Sequence, residues 1–295
     1  MTRHFATYSD AAYLPRLKAL YASMQRHCGD FELHVLAWDG DVFEWATKAT
    51  GLSVCHVGGF LITHPELSIE ALPGPRRSRV EHMWTVGPAF CQQVMEGTGQ
   101  PVTYVDADVW FMAPPDDLFR EAKGKPAAFC GHNFARDADR QPGPTWESHA
   151  GLFGEINCGL LVFNDIAVAR EWAELCRQWC YDRPDGVRDV GGRLVAERYG
   201  DQLYLDHLVR DGKAVAVKDP SIMAGPWNIH SRPLRKAHDG TVFFGGKPLV
   251  SYHFSGLRLG PHGQWSPSRP EYQISDAQIE ALYVPYLRAL EEASR

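Results

Sequence analysis

No CxxC pair occurs among the seven cysteines, which are scattered singly from Cys28 to Cys180. An odd, unpaired set is not the spacing of a zinc ribbon or a disulfide scaffold, so a reducing compartment is expected. No segment approaches the roughly 18 uncharged apolar residues of a membrane span, and Met1 to Tyr8 lack the apolar run of a secretion signal. The expectation is a cytoplasmic protein without a transmembrane segment, peripheral contact at the inner face of a membrane staying open. Basic charge is in deficit: 30 Lys+Arg against 36 Asp+Glu leave a net charge of −6, a field that repels nucleic acid and anionic lipid. Neither a GxGxxG loop nor a Walker phosphate loop is present. With 44% hydrophobic and 22% charged residues, the 295-residue chain is too apolar for disorder and long enough for one large domain or two small ones.

What is present alternates. Phe5–Tyr8 reads as a strand, and Leu17, Leu20, Tyr21 and Met24 recur at helical spacing. Phe31–Trp38 is strand-like, Val42–Ala49 a short helix and Leu52–Val57 a strand again. This βαβαβ order implies an α/β fold with a mostly parallel sheet and flanking helices. A helix from Arg79 to Glu96 leads to the strand Pro101–Val105, which ends in Asp106-Ala107-Asp108. Beyond a long Gly/Pro-rich connection, Asn133 to Gly154, expected to be functional or mobile, Ile156–Phe163 reads as a buried strand. The next helix carries Trp172, Leu175, Cys176, Trp179 and Cys180 on one stripe, which makes the two cysteines core residues. Thr241–Phe244 and Lys247–Phe254 read as a hairpin turning at Gly245-Gly246, and the stripe from Ile279 to Leu290 as a helix packed on the core.

Asp106 and Asp108 are two apart at a strand's carboxyl end, so period-2 geometry puts both carboxylates on one face. That is where ligands bind in open α/β sheets, and hard oxygen donors there suit Mg²⁺ or Mn²⁺ shared with substrate phosphates. In Leu249–Phe254 the same period puts Val250, Tyr252 and Phe254 on one face and Ser251 with His253 on the other, followed by the small turn Ser255-Gly256.

The motifs Tyr104–Val109, Asn157–Asn164, Tyr199-Gly200-Asp201-Gln202, Gly225-Pro226-Trp227-Asn228 and Tyr252–Gly256, in this order, resemble those of bacterial GT-A glycosyltransferases. In order and spacing they are similar to the retaining group that includes glycogenin and the lipooligosaccharide galactosyltransferases. The resemblance runs from Phe5 to about Gly260. It implies one GT-A domain over 1–295, with a nucleotide-binding half (1–108), a sugar and acceptor half (109–260) and a helical extension (261–295). It makes Asp106, Asp108 and His253 metal ligands, and mixed carboxylate and imidazole donors favour Mn²⁺ over Mg²⁺. Thr7 and Tyr8 would hold the nucleobase and ribose, and Arg79, with Arg76 and Arg77 as rivals, the donor. Ala107 would contact the nucleotide-sugar, Asn157 and Gly159 would line the sugar pocket, and Asp201 and Gln202 would be the catalytic pair facing the transferred sugar. Trp227 and Asn228 would close the acceptor side. The sequence departs from the pattern after His253, where Gly256-Leu257-Arg258 replaces Gly-x-x-Lys, so Gly256 and Arg258 become candidates for the diphosphate.

Each assignment has a plain structural alternative. Asp201-Gln202 reads equally as the cap of a helix over Leu203–Val209, Trp227 as a core aromatic, Asn228 as a turn former and Asn157 as a strand-end amide. The expected function is metal-dependent transfer of a sugar from a nucleotide-diphospho-sugar, UDP first, to a glycan, lipid-linked or other acceptor hydroxyl, with retention. The alternatives are a non-catalytic binding protein on a decayed transferase fold and a metal-dependent phosphohydrolase. The second is poor, since Trp110 stands where that motif wants Thr or Val.

Overall fold

Short β-rich runs separated by amphipathic helices build the first half. β1 (Arg3–Ser9), α1 (Leu14–His27), β2 (Phe31–Ala37), α2 (Gly40–Lys48) and β3 (Leu52–His56) follow in the expected order. The computed structural model describes residues 2–134, 149–260 and 263–295. The Asp39 carboxylate caps α2 by accepting from the Val42 N–H, and α3 (Val57–Thr63) follows. The 20-residue α4 (Arg79–Thr98) opens on a capping box between Ser78 and Glu81 and closes on Gly99, whose φ of 64° is left-handed.

Then come β4 (Val102–Val105), β5 (Val109–Phe111), α5 (Asp116–Ala122), β6 (Ala127–Gly131), the single turn α6 (Gly151–Phe153), β7 (Ile156–Phe163) and α7 (Ile166–Gln178). The second half adds β8 (Arg188–Val190), β9 (Arg193–Val195), α8 (Leu203–Arg210), β10 (Val215–Val217), β11 (Leu234–Lys236), β12 (Val242–Phe244), β13 (Lys247–Pro248) and β14 (Ser251–His253). It ends with β15 (Arg258–Leu259), β16 (Trp265–Ser266), α9 (Asp276–Gln278), a π-helical turn over Ile279–Tyr283 and α10 (Val284–Ala293). Most of the connection expected over 133–154, residues 135–148, lies outside the described residues.

The central sheet has seven strands in the order β10-β6-β7-β4-β1-β2-β3. Six are parallel, and β7 is antiparallel to both β4 and β6. The chain moves outward from β1 to β3 and then returns to β4 on the other side of β1. The strand order therefore reverses between β1 and β4, which is where an α/β sheet opens a crevice beyond its carboxyl ends.

Helices α4 and α7 cover one sheet face over Phe90, Phe129, Phe163 and Trp172. The other face packs Phe5, Val35 and Phe111 against Leu17 and Leu20 of α1. A third cluster joins Tyr252 and Phe254 to Tyr283 and Tyr286, with Phe254 stacked on Tyr286 at 3.7 Å between ring centroids, so the C-terminal stripe packs on the core. Cys176 and Cys180 are fully buried beside Trp172, and all seven thiols are free of disulfides. No helix of the described residues is long and apolar enough to cross a membrane.

The expected hairpin is shorter than its sequence suggests. Gly245 and Gly246 both take positive φ, 61° and 86°, as a two-residue turn demands, but the strand after them stops at Pro248. Pro248 brings no N–H to a ladder, and from Val250 the backbone bonds elsewhere, its N–H to Ser221 and its C=O to Met112. The segment expected to finish the hairpin becomes β14 and pairs antiparallel with β5.

Candidate active site

The crevice between β1 and β4 opens into a cavity of about 480 Å³, within the usual range for small-molecule sites. Tyr8, Ser9 and Asp10 leave β1 at its edge, and Asp106, Ala107 and Asp108 leave β4. Because β7 runs against β4, its amino-terminal end lies at the same place. Leu160 pairs with Val105, and the Asp106 N–H donates to the Gly159 carbonyl at 3.0 Å. Strand β14 delivers the last group: His253 pairs with Val109, and the Phe254 N–H donates to the Asp108 carbonyl. Four segments far apart in the chain thus converge.

His253 Nε2 stands 3.0 Å from Asp108 Oδ1 and 3.6 Å from Asp106 Oδ2. The Tyr104 hydroxyl donates to the other Asp106 oxygen at 2.6 Å. Behind the imidazole runs a hydrogen-bond chain whose two ends are fixed by backbone. The Gly159 N–H donates to Asn157 Oδ1 at 2.8 Å, so the Asn157 oxygen faces Gly159 and His253, and its Nδ2 faces His132 Nε2 at 3.1 Å. The Gly154 carbonyl accepts from His132 Nδ1 at 3.1 Å, so that nitrogen carries the proton. Burial drives the His132 pKa down to about 3, leaving Nε2 bare to accept from Asn157. His253 Nδ1, 3.0 Å from Asn157 Oδ1, must then donate. The chain turns the Nε2 lone pair of a neutral His253 toward the two carboxylates, the arrangement that orients a metal-ligating imidazole.

No protein-family model matches the chain. It is 28% identical over 294 residues to the uncharacterized protein YfnD of Bacillus subtilis (strain 168), covering 97% of this chain and 88% of that one. It is 24% identical to YfnF of the same organism, over 88% of this chain and 83% of the other. Among solved structures it superposes on the galactosyltransferase LgtC, in complex with donor and acceptor sugar analogs, with a TM-score of 0.54 at 16% identity, over 98% of this chain and 95% of that one. The apo glycosyltransferase GlyE of Streptococcus pneumoniae TIGR4 gives 0.52 at 17% identity over 99% of this chain, which spans only 63% of GlyE. The fold is that of GT-A glycosyltransferases.

Within this GT-A frame, Asp106, Asp108 and His253 offer ligand atoms that all lie within 4.8 Å of one another, mostly out of water. Hard carboxylates with one imidazole fit a divalent ion such as Mn²⁺ or Mg²⁺. The electrostatics call for a cation as well. Burial, reinforced by Asp108, pushes Asp106 up to about 6 against the pull of His253. Burial and then Asp106 push Asp201, 8% exposed, up to about 7. Burial opposes charge on Asp108 too, but His253 and the buried Arg16 outweigh it and hold its pKa low. Burial likewise disfavours the His253 cation, and the two carboxylates reverse that and raise its pKa.

Other residues singled out from the sequence fall into groups. Gly256, Arg258, Asp201, Gln202 and Trp227 line the cavity, with the Trp227 ring edge-on to His253 at 5.4 Å. Gln202 opens α8 without a side-chain cap, and its amide donates to the Phe153 carbonyl. Asp201 does not cap either, since its carboxylate meets the Cys158 thiol at 3.4 Å. Gly159 lies against His253, where a Cβ would come 2.4 Å from the ring. Arg79 stands at the rim, 3.5 Å from Asp10 and 3.8 Å from Asp39, while its rival Arg77 is buried and bonded to Thr85 and the Arg177 carbonyl. Arg76 is exposed beside Glu70. Two residues sit behind the cavity instead. Thr7 is not on its wall, its hydroxyl buried and unpartnered, and Asn228 is fully buried, its amide joining the Gly225 N–H to the His132 carbonyl.

Sequence reading missed Arg16, His132 and Arg269. Arg16 stands two residues before Lys18 on a helix and His132 follows an apolar strand, and neither belongs to a motif. Arg269 reaches the cavity from a connection with no motif.

Proposed function

We propose that this chain is a metal-dependent glycosyltransferase acting on a nucleotide-diphospho-sugar, UDP first, and passing the sugar with retention to a glycan, lipid-linked or other acceptor hydroxyl. The observation that carries the reading is the convergence of Asp106, Asp108 and an oriented His253 at the head of the cavity, with Asp201 and Gln202 also on its wall. The half that carries β1 to β4 would hold the nucleotide, with the Tyr8 ring offering an apolar face beside Ser9 and Asp10.

Asp106, Asp108 and His253 would hold the ion, which when bound supplies a Lewis acid against the charge growing on the leaving diphosphate. Arg258 and Arg269, both on the cavity wall, add positive charge for the same oxygens. Asp201 and Gln202 orient the sugar by hydrogen bonds, and Trp227 shields His253 from water. As the bond from the anomeric carbon to the diphosphate breaks, the acceptor oxygen forms its bond on the same face and gives its proton to the departing phosphate oxygen.

The test is a panel of sugar nucleotides with Mn²⁺, reading thermal shift and slow donor hydrolysis, on the wild-type protein and on Asp108→Asn. One nucleotide should raise the midpoint in a metal-dependent way and be hydrolysed, and Asp108→Asn should lose at least about a thousandfold of that turnover. Metal-dependent binding without hydrolysis or transfer would leave a sugar-nucleotide-binding protein, and near-normal turnover in Asp108→Asn would remove the proposed centre.

A further inference from the structure

A second set of side chains with metal-ligand spacing lies at the opposite end of the sheet. His4 is near the start of β1, and Glu32 and His34 are two apart on β2, so period 2 puts the latter pair on one face, and the register sets Glu32 beside His4. His4 Nδ1 is 3.1 Å from His34 Nε2 and 3.7 Å from Glu32 Oε2, and His34 Nε2 is 3.9 Å from Glu32 Oε1. Two ligands about 2.0–2.1 Å from a tetrahedral ion lie roughly 3.3–3.4 Å apart, so the three spacings bracket what one ion would impose. The imidazoles are 14% and 12% exposed and the carboxylate 36%, which leaves the open side to water. The Ser53 hydroxyl on β3 donates to Glu32 Oε1 at 2.6 Å and steadies the carboxylate from behind. None of these residues touches the cavity, and Tyr8 lies four residues further along β1, roughly 13 Å away at the rise of a strand.

We propose that His4, Glu32 and His34 form a separate divalent-metal site of zinc type that clips β1 to β2. Two imidazoles and one carboxylate favour Zn²⁺ over the harder Mg²⁺ or Ca²⁺, with water completing a four-coordinate shell. The site is independent of the proposed transferase reaction and ties down the sheet end remote from it.

The experiment uses the full chain, stripped of metal, in a background carrying Asp108→Asn and His253→Ala so that the cavity no longer competes. Zn²⁺ is titrated against a chromophoric chelator, and Co²⁺ uptake is followed by its visible absorption. One equivalent should bind, giving the intense band of a four-coordinate site. Adding His34→Ala should abolish it, and adding Glu32→Gln, which keeps the shape and the Ser53 contact, should weaken it at least about tenfold. Equal far-UV circular dichroism in chelator shows that the added variants fold, and if His34→Ala does not, Glu32→Gln decides. The proposal is overturned if the background takes up no Zn²⁺, or if uptake is indifferent to both substitutions.

Discussion

Replacing Asp201 with Asn should stabilise the metal-free protein, and by an amount that grows with pH. The carboxyl is 8% exposed, meets a thiol and its own backbone, and has Asp106 as a charged neighbour. Burial first and Asp106 second lift its pKa from 3.8 to about 7. A carboxyl with a raised folded pKa binds more protons folded than unfolded, so the stability it contributes is complete below pH 3.8 and is lost as pH rises through about 7. A shift of roughly three units at 1.36 kcal/mol each sets an upper bound of about 4 kcal/mol on that loss, and roughly two-fifths of it has accrued by pH 5. Water in the cavity screens the charge and lowers both figures. Asparagine keeps the shape, still accepts from Cys158, and never ionises.

The assay is thermal unfolding of both proteins in chelator at pH 5 and pH 8.5. At roughly 2 °C per kcal/mol for a chain of this size, the variant should melt several degrees higher at pH 8.5, with a clearly smaller gap at pH 5. A gap equal at both pH values, or a variant less stable than wild type at pH 8.5, would refute the electrostatic reasoning. Sugar transfer should fall in the same variant, so stability is gained where function is lost.

Three further outcomes follow from the geometry. His132→Ala should weaken Mn²⁺ binding about 10–100-fold, because Asn157 and then His253 lose their orientation, and His132→Gln should recover part of it; equal Mn²⁺ affinity in wild type and His132→Ala, read by electron paramagnetic resonance titration, would break the chain. Gly159→Ala puts a Cβ 2.4 Å from His253 Nδ1 and 2.8 Å from Asn157 Oδ1, so donor-dependent turnover should collapse while the circular dichroism spectrum stays that of wild type. Because Asp106 must shed a proton held at about 6, Mn²⁺ affinity should fall as pH drops through that value, and a flat profile between pH 5 and 8 would show the carboxylate already ionised.

Much of the first half was legible because its elements are local. The stripe Leu17, Leu20, Tyr21, Met24 is buried as its spacing requires, and Ile156–Phe163 is a strand with the expected bounds. The hairpin after Gly246 was overextended because alternation in Leu249–Phe254 marks a strand without naming its partner, and β5 outcompetes β12 for it. Of the two β1 residues expected at the nucleoside, Tyr8 lines the cavity, whereas Thr7 is buried and not on its wall. His132 was illegible because its importance lies in its contacts with Asn157 and the Gly154 carbonyl, and no spacing in the chain encodes them.

The direction of β7 matters most for the site and is the least visible in the sequence. An eight-residue apolar strand reads the same whether it lies parallel or antiparallel to its neighbours. Were β7 parallel to β4, Asn157 and Gly159 would lie toward the amino-terminal ends of the other strands, roughly 20 Å and 13 Å from Asp106 at the rise of a strand. Reversed, the same strand sets the Gly159 carbonyl on the Asp106 N–H and the Asn157 amide on His253. The acidic pair is then a product of local period-2 geometry, whereas the orientation of the imidazole that faces it depends on one strand running against the sheet.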